Sequence, residues 1–137
     1  MSDTQQVKKS HFTTGQMRNA LLQIEDQMVH SGWMPDIILG INRGGCIPGV
    51  YLSHRLKKPH EVVDVRLRDH ATKPNLSVLE KAFAFQKKIL VIDDINDTGE
   101  TFKFIDDNFG RENGRIKFAA LVNNKPSKTL IDYKGYE

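Results

Sequence analysis

Ile89-Leu-Val-Ile-Asp-Asp-Ile-Asn-Asp-Thr-Gly-Glu-Thr101 is the stretch on which the reading of this chain turns. Its first four residues form a continuous apolar run, the pattern of a central parallel strand buried on both faces. Asp93, Asp94, Asp97, Thr98, Gly99 and Thr101 follow directly. Beyond them Phe102, Ile105 and Phe109 recur at helical spacing, and Gly110 marks a stop. The string therefore predicts a buried strand, a polar loop and the start of a helix.

The same alternation extends to both sides. Met17, Leu21, Ile24 and Met28 line one face of an upstream helix, with Thr13 or Thr14 to cap it and Gly32 to end it. Asp36–Ile41 reads as a strand that runs into Asn42-Arg-Gly-Gly45. Pro48 suits the first turn of a second helix, whose inner stripe is expected to be Ile47, Val50, Tyr51 and His54. Glu61–Leu67 reads as a strand, Asp69–Ser77 as a mobile loop, and Ile116–Val122 as a further strand. Residues 1–11 are polar and expected to fray. Strands alternating with helices over 137 residues predict a single domain, 1–137, of α/β class: an open, mostly parallel sheet flanked by helices.

Ligands of such sheets sit beyond the C-terminal strand ends, which directs attention to Asn42–Gly45 and Asp93–Thr101. Unpaired N–H groups at a helix start, helped by Gly99 and the hydroxyls of Thr98 and Thr101, make a phosphate cradle from about Asp97 to Thr101. The acids upstream would repel a bare polyphosphate. They suit sugar hydroxyls, a divalent cation or a protonated leaving group. A ribose 5-phosphate satisfies both halves. An ordinary acidic strand end with a Thr cap would explain Asp93-Asp94 alone, but not the whole string. A nucleoside triphosphatase is set aside because no Gly-x-x-x-x-Gly-Lys-Ser/Thr accompanies the acidic strand.

Ile89–Thr101 closely resembles the 5-phosphoribosyl-1-pyrophosphate (PRPP) motif of type I phosphoribosyltransferases. Within that superfamily the chain looks most like the xanthine-guanine and hypoxanthine-guanine enzymes of purine salvage, from roughly Phe12 onward. The resemblance implies that Asp93 and Asp94 meet the ribose hydroxyls with Mg²⁺ nearby. Asp97 becomes the candidate catalytic acid/base beside the purine, and Asp97, Thr98, Gly99, Glu100 and Thr101 hold the 5-phosphate. Asn42, Arg43, Gly44 and Gly45 resemble the family's Ser-Arg-Gly-Gly pyrophosphate loop, with Asn in place of Ser and a strained peptide expected at Arg43–Gly44. Lys81 resembles a basic pyrophosphate-binding position, although a plain surface lysine explains it nearly as well. Lys125, in Asn124-Lys-Pro126, resembles the lysine that meets a purine 6-oxo group. The family's Ser-Tyr lid pair is absent between Arg66 and Ser77.

The implied reaction transfers the 5-phosphoribosyl group to guanine, hypoxanthine or xanthine and releases pyrophosphate, in a homo-oligomer, dimer or tetramer. The look-alike enzymes continue into a hood that stacks an aromatic ring on the base. Here the sequence stops at Tyr133-Lys-Gly-Tyr-Glu137, so the hood is short or missing, with Tyr133 or Tyr136 as possible substitutes. That leaves an alternative: a PRPP- or nucleotide-sensing protein of the same fold without turnover.

Composition narrows the remaining classes. Twenty Lys and Arg against seventeen Asp and Glu leave a scattered +3, with no arginine-rich arm to suggest nucleic acid. No apolar run suits a membrane span and no leader pattern opens the chain, so a cytoplasmic protein is expected. Cys46 is the single cysteine, best read as a small packing residue rather than a nucleophile. Trp33 reads as packing, and the histidines lack metal-ligand spacing.

Overall fold

The computed structural model describes residues 13–42, 44–65, 75–110, 114–124 and 131–136. The first helix, α1 (Thr14–Ser31), starts at a reciprocal cap: Thr13 Oγ1 accepts the Gln16 N–H, and the Gln16 side chain accepts the Thr13 N–H. It ends where Gly32 takes a left-handed conformation, φ 74°, and returns its N–H to Met28 and Val29. Leu21, Ile24 and Met28 are buried as their spacing predicts, together with Ala20.

Next come β1 (Ile37–Ile41), α2 (Cys46–Leu56), β2 (His60–Val63), α3 (Ser77–Ala84), β3 (Ile89–Asn96), α4 (Glu100–Phe109), β4 (Ile116–Asn123) and β5 (Tyr133–Tyr136). The strands form one parallel sheet in the order β2-β1-β3-β4-β5. Residues alternate across it. Ile38, Leu90, Ile92, Ala119 and Leu121 pack with α1 and Leu52 of α2, whereas Leu39, Val91 and Phe118 pack with α3 and α4. The expected open parallel sheet between helices is thus the fold. Among the described residues every helix and strand belongs to this sheet and its two covering layers, and none builds a separate hood.

The structure departs from the sequence reading at several elements. Most of the predicted inner stripe of α2 faces outward: Ile47 is 67% exposed and Val50 42%, and His54 is exposed as well, whereas Tyr51 is half-buried against the core; together with Cys46 they line a shallow apolar groove. The buried face is Pro48, Gly49 and Leu52. Small residues set this choice. A side chain on Gly40, Gly45 or Gly49 would collide with neighbouring backbone or with His60, so α2 lies against β1 along its glycines. The His60 imidazole fills the resulting seat over Gly40 and Gly49. Its Nε2 is buried and has no partner among the described residues, and burial holds its pKa below the usual value, opposed weakly by Glu61.

β2 ends at Val63, short of the predicted Leu67, and Asp64 bridges antiparallel to Asn75. Most of the predicted loop, and the N-terminal residues expected to fray, lie outside the described residues. β3 is longer than its apolar run and carries Asp93, Asp94 and Asn96 within the strand rather than after it. α3 and β5 had no clear sequence signal.

Candidate active site

In a parallel sheet of this order the winding of the chain reverses between β1 and β3, and the two strands' C-terminal ends open there onto a crevice suited to ligands. Both segments singled out from sequence arrive at that point. They also touch: a Cβ on Gly44 would overlap the Asp94 carboxylate. Glycine at 44 is what lets the loop after β1 close onto the acid of β3.

Ladder pairing of β3 with β4 persists through Asp93↔Ala120, Ile95↔Val122 and Asn96↔Asn123, so the strand stays regular past its apolar part. Successive side chains in a strand face opposite ways, which separates Asp93 from Asp94 and turns Asp94 toward the α2 side. Each carboxylate also accepts a backbone N–H from the next residue, Asp93 Oδ1 from Asp94 at 2.8 Å and Asp94 Oδ1 from Ile95 at 2.7 Å. These bonds limit rotation of both side chains.

After Asn96 the chain turns through Asp97, Thr98 and Gly99 into α4. Gly99 has φ 83°, a left-handed conformation that disfavours any other residue. Asp97, Thr98 and Glu100 are exposed, Thr101 half-buried, and Thr98 Oγ1 accepts the Glu100 N–H at 3.3 Å. The first N–H groups of α4 point outward, as at any helix start. With them comes the positive end of the helix dipole.

The loop after β1 is a narrower anion site than expected. The Gly45 N–H donates to Ile41 O at 2.8 Å and is not offered to a ligand. The Asn42 N–H donates to Val63 O at 2.8 Å, and its side-chain oxygen takes a long contact from the Cys46 thiol at 3.8 Å. Burial first, and then the charge of Asp93, push the Cys46 thiol above its ordinary pKa, which disfavours a thiolate nucleophile.

Lys81 lies exposed in the last turn of α3, and no contact described here joins it to either loop. Arg43, with its peptide to Gly44, and Lys125 lie outside the described residues. Tyr133 and Tyr136 are taken up by α1. The Tyr133 hydroxyl bonds Ser31 Oγ at 2.8 Å while its ring meets Trp33, and the Tyr136 hydroxyl donates to Gln16 O at 3.3 Å. Neither is placed to substitute for a base-stacking hood residue.

The sequence reading missed a set of asparagines. Asn96 Nδ2 donates to Asn123 Oδ1 at 2.9 Å inside the sheet, and Asn124 Nδ2 donates to Asp97 Oδ1 at 2.7 Å. Their one sequence signal is polar residues ending two apolar runs that pair in register.

Residues 4–137 match the phosphoribosyl transferase domain family. The chain belongs to that family. As a phosphoribosyltransferase it is an enzyme of the glycosyl-group-transferring kind. A purine phosphoribosyltransferase from Pyrococcus horikoshii Ot3 is 26% identical, with 91% of this chain and 85% of that one covered and a TM-score of 0.68. Two further structures share the fold at lower identity. The Helicobacter pylori xanthine-guanine-hypoxanthine phosphoribosyltransferase is 15% identical (90% and 83% covered, TM-score 0.65). The Aeropyrum pernix orotate phosphoribosyltransferase is 21% identical (80% and 58% covered, TM-score 0.52). Among the described residues of this phosphoribosyltransferase no helix is long and apolar enough to cross a membrane.

Proposed function

We propose that this phosphoribosyltransferase transfers the 5-phosphoribosyl group of PRPP to a 6-oxopurine, guanine, hypoxanthine or xanthine, in the cytoplasm. The observation that carries the reading is the meeting of Gly44 with Asp94 at the β1/β3 crevice, on the strand that turns at Gly99 into α4. A 5-phosphate lies on the N–H groups of Asp97–Thr101, and the ribose hydroxyls meet Asp93 and Asp94. The leaving pyrophosphate faces Asn42, Arg43 and Gly44, with Lys81 as a further cation. Asp97 exchanges a proton with the purine. Lys125 favours a 6-oxo group, because an ammonium donates to a carbonyl but finds only donors on an exocyclic amine. The P. horikoshii relative, a purine phosphoribosyltransferase, supports a purine as the base.

Mg²⁺ fits the donor set in one form. Among the described residues no three His, Cys, Asp or Glu converge on a point, and Asp93 and Asp94 face opposite ways. Magnesium usually takes one or two carboxylates together with substrate oxygens and water, which either aspartate can supply. When bound, the ion would neutralise charge on the leaving pyrophosphate. A homo-oligomer, dimer or tetramer, is part of the proposal; the outward apolar stripe of α2 is a surface whose burial would favour association.

The deciding experiment is a base panel with PRPP and Mg²⁺ that follows pyrophosphate release. Turnover with guanine, hypoxanthine or xanthine is expected. A preference for adenine or orotate would overturn the assignment of the base, and PRPP binding without any turnover would favour the sensing alternative.

A further inference from the structure

We propose that Asn124 is a positioning residue for Asp97, an inference that rests on the catalytic role assigned to Asp97 above. Asp97 is exposed at the tip of the β3–α4 turn, where a short carboxylate would sample several rotamers. Asn124 removes that freedom from across the sheet. Its side-chain Nδ2 donates to Asp97 Oδ1 at 2.7 Å, and its own backbone N–H donates to Asn96 O at 2.9 Å.

The second bond extends the β3–β4 ladder one residue past its last pair, Asn96↔Asn123. That pair is held by its own buried side-chain bond at 2.9 Å. The three asparagines therefore act in series. Asn96 and Asn123 keep the strand ends in register, the ladder places Asn124 opposite Asp97, and the Asn124 amide fixes one carboxylate oxygen. The other oxygen is left oriented for the base. Buried polar pairs specify register well because mispairing leaves both partners unsatisfied.

The test uses the full chain and the variants Asn124→Ala, Asn124→Leu, Asp97→Asn and Asp97→Asn/Asn124→Ala. Asn124→Leu keeps size and shape but removes the donor without adding a charge beside Asp97, which separates orientation from packing. Both Asn124 variants are expected to lower kcat about ten- to a hundredfold, the range reached when a reacting group is misplaced by about 1 Å. Calorimetric affinity for PRPP with Mg²⁺ should stay within about twofold, because the phosphate and ribose contacts are untouched. In the Asp97→Asn background Asn124→Ala should cost little more, since the group it orients is already lost.

Full additivity in the double variant, or unchanged kcat in both Asn124 variants, would overturn the proposal while leaving the site assignment intact. Parallel loss of PRPP affinity and kcat would also overturn it, as it would indicate a structural role. If the unmodified chain binds PRPP but turns over no base, the catalytic role of Asp97 falls and this proposal falls with it.

Discussion

At the scale of single residues, adjacent glycines in the loop after β1 separate function from stability. The atoms nearest a Cβ on Gly44 are those of the Asp94 carboxylate, whereas one on Gly45 meets the backbone at Ile92 and Ile41. Gly44→Ala should therefore fold normally yet weaken PRPP binding about tenfold or more by displacing Asp94. Gly45→Ala should lower stability by about 1–3 kcal/mol, the usual cost of overpacking. Thermal denaturation beside calorimetry distinguishes them, and equal effects on both measurements would contradict the division. Asp97→Asn should reduce kcat by about 10²–10⁴-fold with a smaller effect on PRPP affinity, as for other acid/base residues. Asp94→Ala should do the reverse, and the loss of affinity should depend on Mg²⁺. The residues proposed for these roles could be picked out in sequence because strand, acids, glycine and helix start are contiguous in Ile89–Thr101. The partner of Asp97 was not, since Asn124 is 27 residues away and only the β3–β4 register brings it there.

At the scale of elements, α2 shows why the hydrophobic pattern misleads where backbones approach closely. Ile47 and Val50 face outward because the inner face is set by Gly45 and Gly49, which allow the helix to sit on β1 and leave room for His60. Periodicity counts side chains and assigns no weight to their absence. β5 was missed for a related reason: Tyr-Lys-Gly-Tyr is short and holds a glycine, yet that glycine is what admits Ala20 of α1. The His60 seat also has a pH signature. Its folded pKa lies below the ordinary histidine value of 6.5, so the unfolded chain binds the proton more readily. Stability from this residue is complete above 6.5 and is lost as pH falls below 6.5 toward the folded pKa. His60→Gln should flatten this acid limb in denaturant titrations between neutral and mildly acidic pH. A limb of unchanged slope would show that the imidazole is not its source.

At the scale of the whole molecule, the two layers are closed by contacts distant in sequence. The Gln27 side chain behaves like one more strand beside β5: it donates to Lys134 O at 2.7 Å and accepts from Lys134 N–H at 2.9 Å. It satisfies both groups at the sheet edge, where unpaired strands otherwise invite association. Gln27→Ala should cost about 1–2 kcal/mol, as for a lost pair of hydrogen bonds. Light scattering should also show increased aggregation, and a variant as stable and monodisperse as the parent would count against this role. The same clasp sets a timetable for biosynthesis. Gln27 and Lys134 are 107 residues apart, and at ribosomal speeds of 5–20 residues per second that is a delay of roughly 5–20 s. Throughout it the apolar face of α1 has left the ribosome without its strand. For that interval the nascent chain depends on chaperones or on its own solubility.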